Sequence, residues 1–174
     1  MPSLAGIKPV WIGLITAVAY SSMVIDIIQI LKVHENQYTS TYPPAVVALL
    51  VVSILQMIWG VWYLARSGRG AIFKASNVAG AVLFFFLFYV GAAAATTALR
   101  FNNRYCPRDA SNFTDCRGVM RGTMGLAWAM VGLNLFYLCY LAALVSKHGR
   151  WSDDLWNIPA RRHANADMDK APVH

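Results

Sequence analysis

The residues best suited to chemistry in this chain are a few polar side chains set inside long apolar stretches. Asp26 is followed by Gln29, and Gln56 and Asn134 occur in two later stretches. Asp26 and Gln29 would share one face of a helix, because residues three apart are neighbours there. A carboxyl in such a stretch raises a functional hypothesis, a polar relay or a regulated contact inside a membrane. The alternative is a structural hydrogen bond, or a carboxyl near enough to the membrane surface to stay hydrated.

No pattern in the sequence would carry catalysis. The four histidines, His34, His148, His163 and His174, all lie outside the apolar stretches, which argues against a haem held by two buried histidines. There is no Cys-x-x-Cys pair for thiol redox chemistry, and no glycine-rich phosphate loop or His-Glu-x-x-His zinc motif. We therefore predict that the protein is not an enzyme and that it uses no cofactor and no metal.

Two of the three cysteines flank a polar segment. We predict a disulfide between Cys106 and Cys116, which closes a short ring and would stabilise the fold by about 2.5–3 kcal/mol; two unpaired thiols are the alternative. Between them, Asn112 opens an Asn-Phe-Thr acceptor for N-glycosylation. Its proximity to the bilayer leaves an unmodified Asn112 as an equal alternative. The third, Cys139, lies in an apolar stretch, and we expect a small core residue there.

Four apolar runs position these residues, at 10–31, 45–65, 78–99 and 122–145. The chain has 174 residues, of which 57% are hydrophobic and 13% charged, about half the charged fraction of soluble domains. Each run reaches the roughly 20 helical residues that cross a bilayer, and together they contain one charged residue, Asp26. The first run is longer than the apolar part of a signal peptide, so we expect it to be retained. We predict an all-α fold, an integral membrane four-helix bundle.

The runs form one membrane domain, 10–145, between an N-terminal segment, 1–9, and a short tail, 146–174, with the largest outer loop at 100–121. Nine of the 15 Lys and Arg residues fall on the side of the termini, and the positive-inside rule then predicts cytoplasmic termini. The cysteines and the glycan acceptor fall on the opposite side, which agrees. The net charge of +7 thus indicates orientation and not a nucleic-acid partner. Two interpretations of the basic tail stay open: attraction to anionic inner-leaflet lipid and a solvated juxtamembrane segment.

Small residues at four-residue spacing predict where helices approach closely in lipid. The third run contains Gly91 and Ala95, and the fourth contains Gly122, Gly125 and Ala129. We predict that these faces pack the outer halves of the third and fourth helices together.

The sequence of the predicted outer loop indicates which family of four-span membrane proteins the chain resembles. Small residues at 91–99 precede Arg100-Phe101-Asn102-Asn103-Arg104-Tyr105-Cys106, and Cys116-Arg117-Gly118 leads into the fourth run. With four spans and a short first outer loop, the arrangement resembles the MARVEL-domain tetraspans over roughly residues 6–148, and specifically the small fungal MARVEL-like membrane proteins.

The resemblance implies a non-enzymatic protein of the plasma membrane, or of secretory-pathway vesicles, that organises membrane subdomains or trafficking. Its implied partners are membrane lipids, including sterols or sphingolipids, further copies of the chain, or other membrane proteins. Two alternatives remain open: a small transporter or channel subunit with a polar path through Asp26, Gln29, Gln56 and Asn134, and an accessory subunit of a larger membrane complex.

Overall fold

Four long helices form the described part of the chain. The computed structural model describes residues 7–34, 44–66, 71–100, 113–148 and 151–152. The helices are α1 (Ile7–His34), α2 (Pro44–Ala65), α3 (Ala75–Arg100) and α4 (Phe113–His148). All four are long and apolar enough to cross a membrane. The predicted all-α membrane bundle is confirmed.

The helices pack in a ring that follows the order of the chain. α1 contacts α2 and α4, and α3 contacts α4 and α2. Neighbours are antiparallel, because the beginning of each helix lies beside the end of the next. The bundle therefore has a termini end, where α1 and α3 begin and α2 and α4 end, and a far end opposite it. Short connections between antiparallel neighbours are the usual design of such bundles.

α4 is longer than its apolar run. It begins at Phe113, well before the predicted start at residue 122, so the last part of the predicted outer loop is helical. The apolar run marks the part of a helix that lies in hydrocarbon, whereas a helix can continue into the headgroup region when its residues reach water. Arg117 and Arg121 are both exposed on this first part of α4. Long basic side chains at the ends of membrane spans commonly extend toward water in this way.

Aromatic packing closes the termini end. A short 3-10 helix at Ala71–Phe73 precedes α3 and places the buried Phe73 ring against the end of α2. The ring centroid of Phe73 lies 5.3 Å from that of Tyr63 and 5.4 Å from that of Trp62, both edge to face. This geometry is the favoured one for aromatic pairs, so Phe73 of the 3-10 helix belongs to the core.

Trp151, which lies shortly after α4 in the chain, contacts the beginning of α3. The backbone N–H of Ser76 donates to the carbonyl oxygen of Trp151 at 3.0 Å. The first N–H groups of a helix have no acceptor within the helix itself, and Trp151 supplies one for α3.

The aromatic run of α3 divides between the interior and the outer surface. Phe85 and Tyr89 are buried, whereas Phe84 and Phe88 are exposed toward the lipid, as the helical repeat requires. The same repeat corrects the expectation for Cys139, which is a free and exposed cysteine. It shares the outward face of α4 with the exposed Phe136.

Candidate functional site

All four predicted intramembrane polar residues lie inside the bundle. Asp26 and Asn134 are 0% exposed, Gln56 is 1% exposed and Gln29 is 4% exposed. Their burial is expected in a lipid bilayer, because a polar side chain that faces hydrocarbon loses its hydrogen bonds. They come from three helices, and the interior brings them together with polar residues that the sequence interpretation did not single out.

One pair joins α2 to α4 near the middle of the bundle. Gln56 Nε2 donates to Asn134 Oδ1 at 2.8 Å, and Asn134 Nδ2 donates to the carbonyl oxygen of Met130 at 2.8 Å. This order of donors fixes how both amides point, since turning either one would set two acceptors or two donors face to face. Gln56 Oε1 is therefore left as a buried acceptor with no hydrogen-bond partner among the described residues.

A second pair joins α1 to α4 toward the far end. Thr123 Oγ1 donates to Gln29 Oε1 at 2.9 Å, and Gln29 Nε2 lies 3.6 Å from Met120 Sδ, a weak acceptor. Gln29 thus uses both ends of its amide toward α4.

Asp26 lies one turn from Gln29, toward the termini end. Ser22 Oγ donates to Asp26 Oδ2 at 3.4 Å, a long hydrogen bond. Asp26 Oδ1 has no partner within the described part of the chain. The buried carboxyl is thus held by one weak contact, and one of its two oxygens accepts no hydrogen bond from the described residues.

A third cross-helix pair joins α2 to α3. The hydroxyls of Ser53 and Tyr89 are 3.1 Å apart, and either can donate to the other. The Tyr89 hydroxyl also lies within electrostatic range of Asp26. Tyr89 therefore connects the Asp26 region with the Gln56–Asn134 pair, because Ser53 is one turn from Gln56.

We call this set of buried polar residues the polar column. Along α4, the distance from Thr123 to Asn134 corresponds to about 16 Å at about 1.5 Å per residue, roughly half of the hydrocarbon thickness of about 30 Å. From the far end inward, its members are Gln29, Thr123, Asp26, Ser22, Tyr89, Ser53, Gln56 and Asn134.

Four members of the polar column were not predicted: Ser22, Ser53, Tyr89 and Thr123. Two had a usable signal, because Ser22 precedes Asp26 by four residues and Ser53 precedes Gln56 by three, which places each pair on one helix face. Tyr89 and Thr123 are paired across helices, and a single sequence contains no signal for that.

The small-residue faces lie elsewhere than predicted. Gly91, Ala95, Gly125 and Ala129 are exposed on the bundle surface, and a Cβ added to Gly91 or Gly125 would meet no described atom within 4 Å. α3 and α4 do pack together, but that packing does not bury these four residues. Glycine and alanine fit either position, since they allow close packing and tolerate lipid equally well.

The fifth predicted packing residue, Gly122, is half-buried and faces α1. A Cβ at Gly122 would lie 3.8 Å from Ile25 Cδ1, an ordinary contact. The close helix approach is between α1 and α2, where a Cβ added to Gly60 would collide with Thr16 Oγ1.

The predicted disulfide and glycan involve residues outside the described ones. Cys116 is buried near the beginning of α4, whereas Cys106 and Asn112 fall in the range 101–112. The Cys106–Cys116 bond and the modification of Asn112 stay predictions.

The polar column offers more oxygen acceptors than donors. Its members provide a carboxyl, three amides and four hydroxyls, and two of the oxygens have no partner within the described ranges. The described residues contain no group of three or more His, Cys, Asp or Glu side chains that would hold a metal ion. The column is therefore suited to hydrogen-bond donors or a small cation that prefers neutral oxygens and one carboxylate.

The chain matches no protein-family model, no curated protein and no solved structure. The resemblance to MARVEL-domain tetraspans therefore rests on the loop pattern and the four-span plan alone. What the fold establishes is the class: a bundle of four helices suited to a multi-pass integral membrane protein.

Proposed function

We propose that this chain is a non-enzymatic membrane tetraspan that organises lateral subdomains, with the plasma membrane as its site. The observation that supports the proposal is the outward position of the small-residue faces of α3 and α4. Gly91 and Ala95 on α3, and Gly125 and Ala129 on α4, are exposed. Small residues let a neighbouring helix or a rigid lipid approach the backbone closely.

The two exposed faces lie at the same depth on one side of the bundle. Trp128 Nε1 donates to Thr97 Oγ1 at 3.1 Å, which joins α4 to α3 at the exposed surface. Thr97 is two residues from Ala95, and Trp128 precedes Ala129. The side of the bundle formed by α3 and α4 therefore combines shallow small-residue grooves with a fixed aromatic ring, a surface suited to sterol-like lipids or to a second copy of the chain.

The experiment is fluorescence localisation of the full chain before and after sterol extraction. Wild type is expected in patches that disperse when sterol is removed. Ala95→Leu combined with Ala129→Leu fills the exposed grooves without touching the interior, and we expect that variant to be evenly distributed from the start.

A matched control uses the same substitution elsewhere on the exposed surface. Ala17→Leu combined with Ala142→Leu adds the same volume at exposed positions of α1 and α4 and should leave the patches intact. An even distribution of wild type that sterol extraction does not change would contradict the proposed role. Equal dispersal of both double variants would contradict its assignment to the α3–α4 surface.

A further inference from the structure

Asp26 is a carboxyl in the membrane interior with no basic partner among the described residues. It is 0% exposed, and its interactions there are the hydrogen bond from Ser22 and the electrostatic contact with Tyr89. Neither group carries a positive charge. A carboxylate buried in hydrocarbon without a counter-charge is strongly unfavourable, so a positive charge must reach this carboxyl from outside the protein.

The groups around Asp26 are suited to binding a cation and not an anion. Asp26 Oδ1 and Gln56 Oε1 are both buried acceptors without partners in the described ranges. Three of the neighbouring donors are engaged: Ser22 with Asp26, Thr123 with Gln29, and the Gln56 amide with Asn134. The unpartnered oxygen of an uncompensated buried carboxyl attracts a positive charge.

The polar column also connects Asp26 toward the far end. Gln29 is one turn further along α1 and is hydrogen-bonded to Thr123, so a polar pair lies between Asp26 and that membrane surface. Tyr89 on α3 is the described titratable side chain that interacts with Asp26. From α2 and α4 the column has only groups that do not titrate: Ser53, Gln56, Thr123 and Asn134.

We propose that Asp26 binds an exchangeable monovalent cation, a proton or a sodium ion, which reaches it past Gln29 from the far end. The shared chemistry of the two is a single positive charge that neutralises the carboxyl. This site is independent of the surface that the proposed function uses, because it lies inside the bundle.

The test is infrared spectroscopy of the full-length protein in lipid vesicles. In sodium-free buffer, wild type should show the carbonyl band of a protonated carboxylic acid, and Asp26→Asn should lack it. Transfer to D2O should shift the band, since an exchangeable proton is replaced by deuterium. Sodium chloride should then convert the band to carboxylate bands if sodium is the ligand and leave it unchanged if the proton is; choline chloride controls for ionic strength.

Adjacent serines provide a matched pair that keeps the carboxyl. Ser22→Ala removes the hydrogen bond to Asp26 and should move the frequency of the band. Ser21→Ala removes an exposed hydroxyl that bonds to the carbonyl oxygen of Ala17 and should leave the frequency unchanged. Gln29→Leu should slow the shift in D2O several-fold.

Two outcomes overturn the binding site. One is a wild type without the acid band in sodium-free buffer and without any response of its carboxylate bands to sodium. The other is a band that neither shifts in D2O nor responds to sodium, which makes Asp26 a sealed structural group. An unchanged rate of exchange in Gln29→Leu overturns the route from the far end.

Discussion

At the scale of residues, the interior of this bundle contains buried polar side chains from all four helices. The Gln56–Asn134 pair links α2 to α4 across the ring, and the Ser53–Tyr89 pair links the neighbours α2 and α3. Lipid offers no hydrophobic drive for helices to associate, so such hydrogen bonds select which helices become neighbours and in what register. In a buried polar interior, each polar group without a hydrogen-bond partner lowers the stability of the fold.

The Gln56–Asn134 pair has a measurable coupling. We expect Gln56→Leu and Asn134→Leu each to lower the free energy of unfolding by about 1–2 kcal/mol, and the double variant to lose less than their sum, with a coupling of about 0.5–2 kcal/mol. Reversible unfolding in mixed micelles measures all three.

The control for this cycle is Ser21→Ala, because its hydroxyl is exposed and bonds only within α1. We expect its unfolding free energy to stay near that of wild type. Strict additivity of the two leucine substitutions would mean that the hydrogen bond contributes nothing to stability.

At the scale of elements, the close approach of α1 to α2 depends on one glycine, Gly60. A Cβ at Gly60 collides with the Thr16 hydroxyl, which donates to the carbonyl oxygen of Ile12 at 2.7 Å. Thr16 is thus held in place by its own helix. The absence of a side chain at Gly60 therefore sets how closely α1 and α2 approach.

Gly60→Ala should destabilise the bundle by about 1–3 kcal/mol, the usual effect of overpacking, and Thr16→Ala in the same chain should restore most of that loss. Thermal unfolding of the purified variants in detergent measures it. Gly80→Ala is the matched control, since a Cβ there meets no described atom within 4 Å. Equal effects at positions 60 and 80 would refute the collision.

The contact between Trp151 and α3 makes a separate prediction. A chain that stops after residue 150 lacks the acceptor for the Ser76 amide, so that amide should exchange its hydrogen faster than in a chain that stops after residue 152. Hydrogen exchange followed by mass spectrometry compares the two. Identical protection at Ser76 would mean that the Trp151 carbonyl does not fix the beginning of α3.

The sequence was sufficient for what depends on local composition and insufficient for what depends on helix rotation. The four spans follow from apolar length alone, and the burial of Asp26 follows from the cost of a charge in lipid. Which face of α3 turns inward depends on all its neighbours, so Ala95 was assigned to packing although it is exposed. The Gln56–Asn134 pair required the relative rotation of two helices, and α4 extends beyond its apolar run because hydropathy does not register a helix that continues into the headgroups.

At the scale of the whole molecule, the ring of four antiparallel helices places the beginning of α1 and the end of α4 at one end. Charge asymmetry predicts that this end is cytoplasmic. The free thiol of Cys139 must be removed before the orientation is tested with thiol reagents, and Cys139→Ala does so at an exposed position.

In that background, a cysteine introduced by Ser152→Cys should react with a membrane-impermeant maleimide only after the cells are permeabilised. A cysteine introduced by Gln37→Cys, in the predicted outer connection, should react in intact cells. The reverse pattern would place the termini outside.

The hydrogen bond between Ser76 and Trp151 can form only late in the synthesis of the protein. α3 leaves the ribosome long before Trp151 is translated, so the exposed Ser76 amide is first satisfied by water. Its final acceptor arrives only after α4 has been made and inserted. In a nascent chain that stalls within α4, the Ser76 amide of α3 therefore still lacks its acceptor from the protein. Formation of the hydrogen bond to Trp151 then marks the insertion of the last span.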